Sequence, residues 1–481
     1  MTSTSNVLIL LSDEHNARIM GCAGDAIAYT PNLDKLARQG TRFTNAYTPS
    51  PICVPARASL ATGRYVHQHR CWDNALAYQG HPPSWGHRLQ AAGIPVQSIG
   101  KLHYRNGNDA TGFDQQLLAA HIQDGIGQVW GSVRDPLPDP FPTAPLFKNI
   151  GAGESSYNRF DRAVAQEAAQ WLHKRSRVTD SYPWVLFVGL VAPHFPLIVP
   201  PEYLERYPVH DMPLPRLHPD RGYRRHPWAE RHARFSGHDE QLGTDERRQL
   251  ALASYYALTS FMDHQIGNIL NALADSGMAD NTTVIYSSDH GDNMGERGLW
   301  NKCMLYRDST SIPMILKGPD VPVGQTVQTN VSLVDIFPTI LQSVGVAPTE
   351  PDSDLPGLSL VDSANKPYDP ARLAFSEYHA VGSESAGYML ADSRYKYHHY
   401  VGYEPELFDL ENDPLETHDL AHNSKYADVV ESMQKRLFSV IDPIEVDAQA
   451  KSDQHELIQK FGGRDAALGI GTPGATPVPS S

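Results

Sequence analysis

The chain has 481 residues, 41% hydrophobic and 20% charged, which suits one large folded domain with a smaller one beside it. A formal net charge of −15 sets up a field that repels nucleic acid and acidic polysaccharide and leaves small neutral or cationic substrates open. No apolar run approaches the roughly 18 residues of a membrane helix, no basic region precedes the short run Val7 to Leu11, and four cysteines (Cys22, Cys53, Cys71, Cys303) form no clustered pattern; together these predict a protein of the reducing cytoplasm.

The first predicted element is a buried parallel strand from Asn6 to Leu11, ending on Ser12-Asp13-Glu14-His15. Thr30-Pro31-Asn32 opens a helix with a cap and a proline at its first position, and Gly40 closes it. Pro95 to Ile99 reads as a strand running into Gly100-Lys101-Leu102-His103, and Trp184 to Val191 as another ending at Pro193-His194. Asp135 to Pro145 is a proline-rich loop, and His210 to His238, dense in Arg, His and Pro, reads as an irregular insertion near a pocket mouth. An amphipathic stretch from about Asp245 to Ser276, one helix or two, leads into a strand, Thr282 to Ser287, that ends on Ser288-Asp289-His290-Gly291. Ile312 to Leu316 is one more strand.

Strands alternating with helices predict a doubly wound α/β sheet, large and mixed, over residues 1–365. Beyond it, Tyr388 to Leu390, Tyr395 to Tyr400 and Leu407 to Leu410 read as antiparallel strands, with a helix near Ala427 to Ile441. These predict a small α+β domain over 366–465, followed by a Gly-, Pro-, Ser- and Ala-rich tail, 466–481, expected to be disordered. Ligands of such sheets bind beyond the carboxyl ends of the strands. Four of those ends carry Asp13, Lys101, His194 and Asp289-His290, and their convergence is a site hypothesis on its own.

The informative stretch is Cys53-Val54-Pro55-Ala56-Arg57, continued through Thr62-Gly63. A proline two residues on sets Cys53 at a helix N-terminus, where free N–H groups and the dipole favour an anion. Arg57, one turn further, offers forked donors suited to an oxyanion. Each residue also has an ordinary reading: Cys53 alone as a small buried residue, Asp13 and Asp289 as turn or capping groups, and most of the 22 histidines, including His15, His67 and His69, as structural. Cys22, Cys71 and Cys303 are read as inert, and Trp72, Tyr104 and Trp130 as candidates to line a pocket.

The segment resembles the C-x-P-S/A-R signature of the type I sulfatases, within the alkaline-phosphatase superfamily. Other landmarks follow in family order: Asn6 to Glu14, Thr30 to Asp34, Gly63-Arg64-Tyr65, Trp72-Asp73-Asn74, Gly100 to His103, Ser288 to Asp292 and Gly295 to Lys302. Asp289-His290, where many arylsulfatases have Asp-Asn, places the likeness nearest the choline-sulfatase and phosphonate-monoesterase branch. Val54, Ile94, Val96 and Leu102 depart from its usual residues.

The resemblance implies that a formylglycine-generating enzyme oxidises Cys53. The aldehyde hydrate then offers two hydroxyls on one carbon: one attacks sulfur, and deprotonating the other expels sulfate and restores the aldehyde. A thiolate would leave an adduct with no easy exit. It further implies one divalent cation on Asp13, Glu14, Cys53, Asp289 and His290, with Ca²⁺ the default and Mn²⁺ or Mg²⁺ alternatives. Lys302 and His194 would meet the sulfate and leaving oxygens, Lys101 and His103 would orient and deprotonate the hydrate, and Asn74 would bond a sulfate oxygen. A homo-oligomer is the family's habit. The expected activity is hydrolysis of an aryl, alkyl or choline sulfate. The open alternatives are a phosphonate monoester or phosphodiester hydrolase on the same site, a two-metal phosphatase, and a non-catalytic anion binder.

Overall fold

The computed structural model describes residues 4–138, 145–178 and 183–479. Eight strands form the main sheet: β1 (Asn6–Asp13), β2 (Thr41–Phe43), β3 (Val96–Lys101), β4 (Gln115–Ala120), β5 (Val185–Pro193), β6 (Thr282–Ser288), β7 (Met314–Lys317) and β8 (Gln325–Val327). Their order across the sheet is β8-β2-β7-β6-β1-β5-β3-β4. β1 lies at the centre, parallel to β5 and β6, whereas β7 runs antiparallel to both β6 and β2, so the sheet is mixed.

The apolar runs form central strands because both faces of the sheet are covered. Val7, Ile9 and Leu11 point to one face, against α2 (Cys53–Thr62) and α6 (Ile336–Val344). Leu8 and Leu10 point to the other, against α1 (Pro31–Arg38), α3 (Ser156–Arg175) and α5 (Asp245–Asp275). Fully burying each such side chain contributes about 1.5–3 kcal/mol before chain entropy is charged. The helical stretch after Asp245 is one helix, with its N-terminus capped by the Thr244 hydroxyl on the Arg247 amide. α3, whose 20 residues follow the Ser155 cap, was not anticipated, although Tyr157, Phe160, Val164, Ala168 and Leu172 recur at helical spacing along its buried face.

Register brings the strand ends together. Ser12 stands opposite Ser288 and Asp13 opposite Pro193, so Asp13, Asp289 and His194 leave three adjacent strands side by side. Gly100 and Gly189 pair in neighbouring strands; a Cβ on Gly189 would stand 2.1 Å from the Lys101 carbonyl oxygen, so only glycine admits Lys101 there.

A second sheet has four antiparallel strands, β9 (Ala374–Tyr378), β10 (Gly387–Ala391), β11 (Tyr395–Tyr400) and β12 (Glu406–Asp409), of which β9 was not anticipated. One face packs on α7 (Ala427–Val440) through Met433 and Leu437. The other closes on Trp228, Met304, Leu305 and Tyr306 of the larger part. A further helix, α8 (Pro443–Lys460), returns to that part, where Asp453 accepts from Trp72 Nε1 at 2.7 Å.

Two expectations are corrected. His210 to His238 is not irregular throughout: α4 (Pro227–Ser236) is a helix, built on the Pro227 start and buried Trp228, Ala229, His232 and Ala233. The tail is not disordered over its described length; through Pro479 it lies on the body, because its backbone carbonyls find donors there. The proline-rich loop falls partly outside the described residues, at 139–144. No helix among the described residues is long and apolar enough to cross a membrane.

Candidate active site

Cys53 is the first residue of α2, as its proline spacing predicts, and is buried at the floor of a pocket. Its Sγ lies 3.2 Å from His290 Nε2 and 3.7 Å from Asp13 Oδ1. Ligand atoms of Asp13, Cys53, Asp289 and His290 all fall within 4.8 Å of one another, the compass of a single ion. His290 Nδ1 faces the Gly291 carbonyl at 3.0 Å. With its proton there, Nε2 keeps a lone pair aimed into the cluster, the arrangement that orients a metal-ligating imidazole.

Arg57 does not face an open oxyanion site, as its fork suggested. Its Nε donates to Asp289 Oδ2 at 2.8 Å, Nη2 to Asp13 Oδ2 at 2.9 Å and Nη1 to the Lys101 carbonyl at 2.8 Å. The guanidinium therefore holds two carboxylates of the cluster in place. It can do so because α2 packs directly behind β1 and β6, where a long side chain reaches carboxylates before it reaches solvent.

Glu14 is set apart from the four-residue cluster. Its backbone takes φ +66, and its carboxylate turns to Lys302 Nζ, 2.8 Å away, and to His194 Nε2 at 3.4 Å. Asp13, Glu14 and His194 make a second cluster sharing Asp13 with the first. Glu14 Oε1 is buried with no partner. Lys101 Nζ sits 2.6 Å from Asp13 Oδ2, and His194 Nδ1 is 2.5 Å from the Phe195 carbonyl.

Asn74 also differs from expectation. Its Oδ1 accepts the Val54 amide at 3.1 Å and its Nδ2 donates to Gln128 Oε1 at 3.3 Å, so it caps α2 and braces the pocket wall. His103 lines the pocket; its Nε2 meets the Thr476 hydroxyl at 2.9 Å and its Nδ1 has no partner.

Burial and charge set the protonation states. Burial would raise Asp13, but Lys101, Arg57 and Lys302 hold it well below the usual carboxylate range. Burial pushes Glu14 up to about 8 against the pull of Lys302. Burial and the neighbouring Asp13 push the Cys53 thiol up to about 12, so it is neutral and a poor nucleophile. Lys302, which burial alone would depress, is held well above its ordinary value by Cys53, Glu14 and Asp13. Burial keeps His103 and His194 well below theirs, so both imidazoles are neutral.

The pocket has an empty volume of about 780 Å³ including its open mouth. Cys53, Asn74, Lys101, His103, His194 and Lys302 line it together with the apolar Trp130, Leu146, Phe195, Phe235, Val381 and Ala475 and the polar His232, Ser236, His238 and Asn301. Of the aromatic candidates, Trp130 is there; Trp72 is fully buried, and Tyr104 packs on Tyr78 at 5.1 Å between centroids. Cys303, read as inert, also lines the pocket, although burial pushes its thiol up to about 12. Gln128, Phe235 and Thr476 were missed, since nothing in their local sequence marks them. His15 is structural, as expected, with Nδ1 2.6 Å from the Tyr286 hydroxyl.

Comparison with known proteins agrees with this geometry. A family model described as Sulfatase matches residues 5–346, and one described as N-sulphoglucosamine sulphohydrolase, C-terminal, matches residues 295–442. The chain is 30% identical over 431 residues to the choline-sulfatase of Rhizobium meliloti (strain 1021), covering 88% of this chain and 84% of that protein. It is 28% identical over 469 residues to arylsulfatase K of Xenopus laevis, covering 92% and 84%. Among solved structures, the phosphonate monoester hydrolase of Agrobacterium radiobacter aligns with a TM-score of 0.72 at 24% identity, covering 93% of this chain and 96% of that one. A 2-O GAG sulfatase aligns with a TM-score of 0.73 at 22% identity, covering 100% and 98%. At those identities the solved structures speak for the fold. With strand ends, signature helix and family match in agreement, the chain belongs to the sulfatase family and is a sulfuric ester hydrolase.

Proposed function

We propose that this hydrolase cleaves sulfate monoesters at Cys53 after its conversion to formylglycine, with one divalent cation held by Asp13, Asp289, His290 and the converted side chain. The observation that carries the reading is the four-residue cluster with Cys53 at its centre, its thiol neutral and so ill suited to attack as it stands. When formed and hydrated, formylglycine supplies the hydroxyl that attacks sulfur and a second whose deprotonation releases sulfate.

The residues fit a cation. Two carboxylates and an imidazole with its lone pair turned inward suit Ca²⁺, Mg²⁺ or Mn²⁺, with Ca²⁺ the expected ion. The unpartnered Glu14 Oε1 and the proton that burial places on Glu14 near neutral pH are what a nearby cation would relieve.

In this reading, Arg57 fixes Asp13 and Asp289. Lys302 and His194, poised on Glu14, stand ready for the sulfate and leaving-group oxygens, and neutral His103 accepts the hydrate's proton through its unpartnered Nδ1. A formylglycine-generating enzyme is the maturation partner. Cytoplasmic placement, supported by four unpaired cysteines, and homo-oligomeric assembly belong to the same proposal.

The test is co-expression with a formylglycine-generating enzyme, followed by kcat/KM on an aryl sulfate, choline sulfate and a phenyl phosphonate monoester. A sulfate ester preferred by orders of magnitude supports the reading. A preferred phosphonate ester would replace the substrate and leave the site assignments standing.

A further inference from the structure

The last described residues of the chain bear on the same site. Trp130 N donates to the Ile470 carbonyl at 3.2 Å, and Gly471, at φ +103, lies so flush that a Cβ would meet the Gly127 carbonyl oxygen at 2.3 Å. Trp130 Nε1 then donates to the Thr472 carbonyl and Gln128 Nε2 to the Gly474 carbonyl, both at 2.8 Å. Gln128 is also the partner of Asn74, so one side chain ties this segment to the cap of α2. Ala475 packs into two core clusters, the Tyr157 hydroxyl donates to the Thr476 carbonyl, and Val478 docks beyond it. Pro473 to Thr476 line the pocket that holds Cys53, Lys101 and Lys302, and the Thr476 hydroxyl meets His103 Nε2 at 2.9 Å.

We propose that the segment Ile470 to Thr476 is the roof of the active site, restricting it to sulfate esters of small, uncharged, largely apolar alcohols or phenols, and that Thr476 positions His103. The proposal rests on the sulfatase reading and names the substrate class within it. The size limit follows from where the segment lies, lining the pocket that holds Cys53, Lys101 and Lys302 and tied to Trp130 and Gln128 at one end and to Tyr157 at the other. The chemical limit follows from the walls: Trp130, Phe195, Phe235 and Val381 are apolar, and Lys101 and Lys302, both committed to Asp13 or Glu14, are the only charged side chains lining it besides histidines among the described residues. A polyanionic sugar finds no free cation there, and burying its charges unpaired is costly. A small apolar group gains by leaving water. As for His103, a hydrogen bond at Nε2 holds the ring so that Nδ1 is the nitrogen left for a reacting hydroxyl.

Four matured variants, one shortened and three full-length, test this on p-nitrophenyl sulfate and a sulfated disaccharide. A chain ending at Gly469 is expected to raise KM for the aryl sulfate about tenfold and shift the aryl-to-disaccharide kcat/KM ratio about tenfold towards the disaccharide. Thr476→Val is expected to lower kcat about tenfold with KM nearly unchanged, and Thr476→Ser to restore it. In case shortening impairs folding, Ala475→Trp in the full chain narrows the roof and is expected to raise KM for the aryl sulfate while sparing methyl sulfate. Binding of p-nitrophenyl sulfate to Cys53→Ala, with and without the segment, reads the roof without turnover, and should weaken about tenfold on its removal. An unchanged ratio together with unchanged binding overturns the proposal. Binding that depends on the segment, in a matured enzyme that cleaves no sulfate ester, overturns the sulfatase reading and leaves the roof.

Discussion

Two buried clusters of charge, one in each sheet, are built from similar residues to opposite ends. In the second sheet Glu377 has both oxygens satisfied: Oε1 by His67 Nδ1 and Oε2 by His379 Nε2, each at 2.9 Å. At the edge of the main sheet, Glu14 keeps Oε1 without a partner, His103 keeps Nδ1, and both residues take positive φ, +66 and +60. In the first cluster His379 Nδ1 is also buried without a partner, so the difference lies in the carboxylates: one satisfied on both oxygens stabilises a fold, whereas one left open can be completed by a ligand. The contrast separates the two carboxylates better than burial does, since Glu14 and Glu377 are equally inaccessible.

The largest effect expected on this comparison is at the open cluster. Cys53→Ala should abolish turnover, with kcat falling at least about 10⁴-fold, while circular dichroism and melting stay near wild type, because the residue fills a reaction site and supports little packing. Asp289→Asn should cut activity by about 10²- to 10³-fold and remove any rise in Tm on adding Ca²⁺, since it deletes a ligating charge. A Tm response to Ca²⁺ that survives this change would move the cation elsewhere. Arg57→Lys should cost about 10- to 100-fold in kcat/KM, because an ammonium cannot reproduce the fork across Asp13 and Asp289.

The smallest effect on activity belongs to the closed cluster. Glu377→Gln should leave kcat/KM nearly unchanged at a permissive temperature and cost about 3 kcal/mol of stability by stranding the charge on His67. The sign of its pH dependence follows from the shifts. Against the opposing cost of burial, the carboxyl is held well below its ordinary 4.5 by His67 and His379, so its contribution is present above that value and lost as pH falls. Burial lowers His67, but Glu377 outweighs it and raises the imidazole above its ordinary 6.5, so that contribution is present below 6.5 and lost as pH rises through the raised value. The mutational loss, measured by denaturant unfolding, should therefore be largest between about pH 5 and 6 and shrink on either side. A flat profile would mean that His67 is neutral and the pair is held by hydrogen bonds alone.

Much of the floor of the site is legible in the sequence. The central strands announce themselves as apolar runs because a sheet covered on both faces has no polar side, and their last residues must then stand at the ligand-binding edge. That logic places Asp13, His194, Asp289 and His290 correctly around Cys53. It fails where a side chain's direction depends on what lies across the gap: Arg57 turned to carboxylates, Asn74 to an amide, Glu14 to a lysine.

What the sequence alone determines is thus the α/β order, the helix that opens on Cys53 and the set of charged residues at the strand ends, all of them local patterns with a period or a spacing. What only the tertiary structure decides is which of those charges meet, that the helix from Pro227 supplies Phe235 to one wall, and that the Gly-Pro-Ser tail roofs the pocket. The tail's composition carries no apolar period and points to disorder, because its order comes from carbonyls accepting bonds from Trp130 and Gln128, more than 300 residues away along the chain. Backbone acceptors are identical in every sequence, so a docking made through them leaves no trace until the fold presents the donors.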